Sequence, residues 1–170
     1  MQEPVEITHN MLASGNKRFL NFIIDSIVAT LLQMIIAQGL NLLHETYGNE
    51  GFLIGPPVLG NIKYTMLGLG VNIVYYGLFE TVSMRTLGKY ATNTMVVNRD
   101  GTTPDSMRIF LRTLCRLIPF EVLSFLGRPS IGWHDSLSQT LVIDIEAFNH
   151  AKRVKDLKNK ADNEENNNYE

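Results

Sequence analysis

The sequence predicts an all-α membrane protein with two transmembrane helices, an amphipathic in-plane or re-entrant third helix, and a short cytoplasmic β-ribbon. Three observations lead there. Two apolar runs, over 19–43 and 62–82, are about 25 and about 21 residues long, enough for each to span a bilayer as a helix. Polar residues inside both runs recur at helical spacing. Beyond residue 82 the pattern changes to short β-favouring segments flanking a helix with a basic face.

In the first run, Arg18 stands at the start and Asp25 about a third of the way along. Their separation is nearly two helical turns, about 10 Å along the axis, so both side chains point the same way. Asn21 between them and Gln33 beyond complete one polar stripe on a helix otherwise built of Phe, Leu, Ile, Val and Met. An ionisable group at the centre of a membrane helix costs on the order of 2.5–3.5 kcal/mol by insertion scales, so the stripe faces protein or a water-filled cavity. It serves either as interhelical glue or as part of a transport or ion-relay path. The run exceeds a signal-peptide core and lacks a small-residue cleavage site, which predicts a retained helix.

The second run carries Gly68 and Gly70, where a neighbouring helix can approach closely, and a polar ridge of Asn72, Tyr76 and Glu80. Two helices with one polar face each are expected to pair face to face. Tyr75 and Tyr76 read as an aromatic belt at the interface, with Glu80 near the edge of the hydrocarbon. Asp25, Asn21 and Glu80 are the candidate ligand or ion path. The 44–61 connection holds no lysine or arginine, whereas Lys17, Arg18, Arg85 and Lys89 flank the other ends of the two runs. The positive-inside rule therefore predicts cytoplasmic termini and an external 44–61 loop.

Met95-Val96-Val97 and Thr140-Leu141-Val142-Ile143 are the two strand candidates, the first closed by the turn signal Asn98-Arg99-Asp100-Gly101. Thr103-Pro104-Asp105 reads as an N-cap, a proline at N1 and a first-turn acid. The helix that follows, within 104–126, lines up Arg108, Arg112 and Arg116 on one face, with Ile109, Leu114, Leu117 and Ile118 away from it. That is the pattern of an in-plane helix whose arginines contact lipid headgroups; a third span is the competing reading, made expensive by the three arginines. The chain thus divides into a cytoplasmic segment over 1–17, a membrane domain over 18–145, and a polar tail over 146–170 expected to be disordered.

Composition excludes several classes. The 170 residues are 45% hydrophobic with a net charge of -2, and the mean hydropathy of -0.00 averages apolar blocks with a polar tail. The basic residues do not form an aromatic-interleaved patch, so no nucleic-acid partner is expected. Cys115 is the single cysteine and the four histidines lack ligand spacing, so neither a disulfide framework, a metal nor another cofactor is predicted. His134-Asp135 lies in no nucleophile signature, and no enzymatic activity is expected.

The ordered set of Arg18, Asp25, Thr86-Leu87-Gly88-Lys89, Val96-Val97 with Asp100-Gly101, Leu111-Arg112, and His134-Asp135 with Thr140-Leu141-Val142 resembles the RDD family of membrane proteins. The family's name-giving arginine and two aspartates match Arg18, Asp25 and Asp135, and the resemblance covers about 17–145. Asn93-Thr94-Met95 departs from a glycine-containing approach to the valines. The resemblance implies a multi-pass protein of the bacterial inner membrane; the apolar runs make the lipid bilayer its partner, and so few helices call for a second copy or another membrane protein. The resemblance implies a molecular role that is generally unassigned, transport of an unspecified ligand being the usual suggestion, and a non-transporting scaffold is the alternative. It also turns Asp135 from a solvated loop acid into an expected partner of Arg18, a pair that would lock the cytoplasmic module onto the first helix.

Overall fold

The computed structural model describes residues 7–47, 62–118, 124 and 131–167, with side chains described as far as 161. Helix α1 (Gly15–Tyr47) and helix α2 (Ile62–Ser83) contain the two apolar runs and lie alongside each other as an antiparallel pair. α1 extends past both ends of its predicted run because nothing there breaks a helix: no proline occurs between Gly15 and Tyr47. Among the described residues α1 is the helix long and apolar enough to cross a membrane, and only 17% of its apolar window is buried. A core helix of a soluble protein buries its apolar surface; α1 exposes it, with Ile27, Leu31, Ile35 and Leu42 all more than half exposed.

The short helix α3 (Leu87–Ala91) follows α2, capped by the Thr86 hydroxyl, which accepts from the Lys89 N–H at 3.4 Å. Asn93, at φ 56°, then turns the chain into strand β1 (Thr94–Asn98). Asparagine tolerates this left-handed conformation, which is why a glycine is dispensable before the valines. Gly101, at φ 79°, closes the predicted turn, its N–H donating to the Asn98 carbonyl at 3.0 Å.

Helix α4 (Ser106–Cys115) begins later than expected: Asp105, not Thr103, is the N-cap, its Oδ1 accepting from the Arg108 N–H at 2.8 Å. Most of the expected continuation toward residue 126 lies outside the described residues. Helix α5 (Trp133–Ser138) ends at Gln139, whose φ of 54° redirects the chain into strand β2 (Thr140–Asp144). β1 and β2 pair antiparallel, with Thr94 opposite Asp144 and Asn98 opposite Thr140, and Ala13 donates to the Val142 carbonyl at 2.9 Å. Val96, Val97 and Ile143 are wholly buried in this ribbon.

The expectation of a disordered tail is corrected. Helix α6 (Ile145–Asn167) occupies it. Asp144 starts the helix, its Oδ1 accepting from the N–H groups of Glu146 at 3.0 Å and Ala147 at 3.3 Å. The lysines and glutamates of α6 build no core, but with the alanines among them they are good helix formers.

Candidate functional site: a buried charge network at one end of the helix pair

Six charged side chains gather where α1 and α2 meet the ribbon and the short helices. Asp135, at the third position of α5, accepts from its own helix start through the Gly132 N–H at 2.8 Å. Its two oxygens also pair with Arg18 of α1 and Arg112 of α4. Arg112 reaches on to Glu80 of α2 through Nε at 3.0 Å and to the Thr140 hydroxyl through Nη1 at 2.8 Å. Glu80 completes its shell with Lys89 of α3 at 2.7 Å and Arg116 at 2.8 Å. An alternating chain of cations and anions thus ties α1, α5, α4, α2 and α3 together.

Burial makes the network consequential. Glu80, Arg112 and Asp135 are fully buried, and Arg18 and Lys89 nearly so. Charges removed from water in this way require one another, because each partner's loss strands the other. Burial alone would push the Asp135 carboxyl up, but His134, Arg18 and Arg112 outweigh it and hold the group well below the usual carboxylate range. Burial pushes the Lys89 ammonium down to about 8 despite Glu80 beside it, which leaves it mostly charged at neutral pH. The His134 imidazole is pushed down by burial too, the Asp135 carboxylate opposing; its Nε2 lies 3.2 Å from Asp135 and 3.4 Å from Arg18.

Asp25 sits in a second, adjoining arrangement. Its carboxylate accepts from the Tyr75 hydroxyl at 2.7 Å, the Thr86 hydroxyl at 2.6 Å and the Gly88 N–H at 2.8 Å. Gly88 is required for that contact: a Cβ there would lie 2.5 Å from the Asn21 carbonyl oxygen and 3.0 Å from Asp25 Cγ. Asn21 bridges the same elements, its amide donating to the carbonyls of Gly88 at 2.9 Å and Lys17 at 3.2 Å while accepting from Thr94 at 3.0 Å. The Thr86-Leu87-Gly88-Lys89 motif therefore has a physical role: hydroxyl and backbone N–H for Asp25, ammonium for Glu80.

Several expectations change here. The structure brings Arg18 and Asp135 together, as sequence reasoning anticipated, but adds Arg112 as a second partner of the same carboxylate. Arg112 does not contact headgroups; it is fully buried, and the Arg116 side chain is 17% exposed, stacked over the Tyr76 ring at 4.2 Å. Only Arg108 of the three turns outward, reaching Asn98 at 3.4 Å. The apolar face of α4, Met107, Phe110, Leu111 and Leu114, is the exposed one. The helix is amphipathic as expected, but inverted. Tyr75 and Tyr76 are buried rather than displayed as an interfacial belt, and Asn72 bonds back to the Gly68 carbonyl of its own helix at 2.8 Å. The missed partners carried a signal: a helix with arginines opposite a wide apolar face, in a protein already rich in membrane-length runs, has its apolar side available for lipid.

Fold and site together define a mostly helical membrane-type protein built around buried ion pairs and at least one bilayer-length helix. The RDD family profile matches residues 12–144, and the chain belongs to the RDD family. Family membership and the apolar α1 helix both support a membrane protein. No curated protein and no solved structure matches the chain.

Proposed function

We propose that the chain is a non-enzymatic integral protein of the bacterial inner membrane that crosses it twice, through α1 and α2, with both termini cytoplasmic. In this reading it acts as a membrane scaffold or assembly partner, and the charge network fastens a cytoplasmic module to the helix pair. One observation supports it above all: each carboxylate of the site is already committed. Asp25 accepts from three donors, Glu80 pairs with three cations, and Asp135 pairs with two guanidiniums and a backbone N–H. Groups held this way suit fastening better than cyclic release of an ion.

Ion transport is the second reading, favoured by a small polar cavity that Asn21 and Asp25 line. So few helices make a full transport cycle improbable for one chain, so this reading calls for an oligomer. Proteoliposome flux separates the two. Asn at position 25 keeps two acceptor contacts at one oxygen, and the Thr86 hydroxyl can turn from donor to acceptor. A scaffold therefore shows no gradient-driven flux and loses only about 1 kcal/mol of stability in Asp25→Asn, against several in Asp25→Leu. Ion flux that Asp25→Asn abolishes, with folding intact, would establish transport instead. Topology has its own check. With Cys115→Ser as background, an impermeant thiol reagent applied to intact cells should label Asn49→Cys and spare Asn163→Cys.

A further inference from the structure

The cavity beside the network has a volume of about 30 Å³, room for one or two water-sized guests. Its lining is unbalanced: four cations, Arg18, Lys89, Arg112 and Arg116, face a single lining carboxylate, Asp25. Adding the other two acids, Glu80 and Asp135, gives four positive charges against three negative among the described residues of the site, with His134 also in the lining and held toward its neutral form by burial. Arg112 supplies the second observation. Its Nε and Nη1 are taken by Glu80, Asp135 and Thr140, while Nη2, fully buried, has no acceptor among the described residues. A buried guanidinium nitrogen without an acceptor is costly, and unusual enough in a native protein to point to a ligand.

We propose that this cavity is a binding site for one small monovalent anion of halide size, which accepts a hydrogen bond from Arg112 Nη2 and is surrounded by Arg18, Arg116 and Lys89. Such an ion supplies an acceptor for Nη2 and offsets the excess of positive charge among the described residues of the site, which a water molecule does not. The volume suits a single-atom anion better than gluconate or sulfate. The site stands independently of the scaffold and transport readings, since neither a fixed nor a moving ion is assumed.

The test uses the full chain in detergent micelles at constant ionic strength, with sodium gluconate progressively replaced by sodium chloride or bromide. Saturable thermal stabilisation by both halides is expected, with little from sulfate. In Arg116→Gln, which removes one lining cation and leaves Glu80 with two partners, the half-saturating halide concentration should rise at least tenfold. Crystals of the unaltered protein grown in bromide supply a second arm that does not depend on the variant folding: the anomalous peak should fall among Arg18, Arg112 and Arg116. Absence of saturable halide stabilisation, meaning the cavity takes water only, overturns the proposal. So does an unchanged halide midpoint in a folded Arg116→Gln, or a bromide peak elsewhere. Flux enters none of these readouts, so failure here leaves the proposed function untouched, and the reverse holds equally.

Discussion

The two ends of the α1–α2 pair are held by different physics. At the charged end, Arg18, Asn21 and Asp25 of α1 and Tyr75 and Glu80 of α2 are all buried, and each engages another element. At the apolar end, Gln33 donates to the Tyr64 carbonyl at 2.9 Å and packs over Gly68, while Leu31, Ile35, Leu42, Ile62 and Met66 stay exposed. An open apolar hollow of about 500 Å³, lined by Leu32, Ile36, Val74 and Leu78 among others, adds to that exposure. Geometry at the first end is dictated by directional bonds between named partners. At the second, lipid is as good a neighbour as leucine, and association rests on close packing of small residues.

Breaking the charged end should have the largest effect. Asp135→Asn removes the carboxylate that Arg18 and Arg112 share and is expected to cost about 3–5 kcal/mol. Arg18→Gln should also destabilise, and the Arg18→Gln/Asp135→Asn double variant should recover part of the combined loss, less than fully because Arg112 still faces the amide. Thermal denaturation in detergent gives the coupling; strict additivity would mean that the two residues do not interact. Acid should act on the same group. The lowered folded value means that Asp135 contributes its stability fully above the ordinary carboxylate value of 3.8, and that this contribution is lost as pH falls from there through the folded value. Asp135→Asn should therefore unfold with a shallower acid limb than the unaltered protein. An identical acid limb would show that Asp135 is not the responsible carboxyl.

An intermediate effect is expected from glycine substitutions, which sharpen the contrast without touching charge. Gly88→Ala forces α3 off the α1 backbone and should cost about 1–3 kcal/mol. Gly70, on α2 toward the apolar end, has open space where a Cβ would go, so Gly70→Ala should be neutral or gain up to about 1 kcal/mol of helix propensity. Similar denaturation midpoints for the two variants would erase the distinction between the ends.

Gln33→Ala should show the smallest loss, about 1 kcal/mol, since it removes one part-buried hydrogen bond to a carbonyl that is already bonded within its helix or near its start. Loss comparable with Asp135→Asn would mean that the apolar end also depends on a polar lock.

Much of this architecture is written in local pattern. The apolar runs became α1 and α2, the two β-favouring segments paired with each other over the long connection that holds α4 and α5, and Arg18 met Asp135 as the family resemblance implied. Local chemistry misjudged the stretch after Asp144, because composition argued against a packed core while Asp144 needed only to cap a helix. It also gave no partner for Asp25, whose three donors come from α2 and from the segment opening α3.

By itself the sequence determined the two long helices, the two strands and which residues had to be shielded from lipid, because these follow from run length, side-chain spacing and the cost of an unsatisfied polar group in hydrocarbon. Only the tertiary structure decided which way α4 turned its arginines and how Arg112, Arg116 and Lys89 divide between Glu80 and Asp135. An amphipathic helix reads the same whichever face is buried, and ion pairs between Arg18, Arg112 and Asp135 depend on distances that appear only once α1, α4 and α5 have packed.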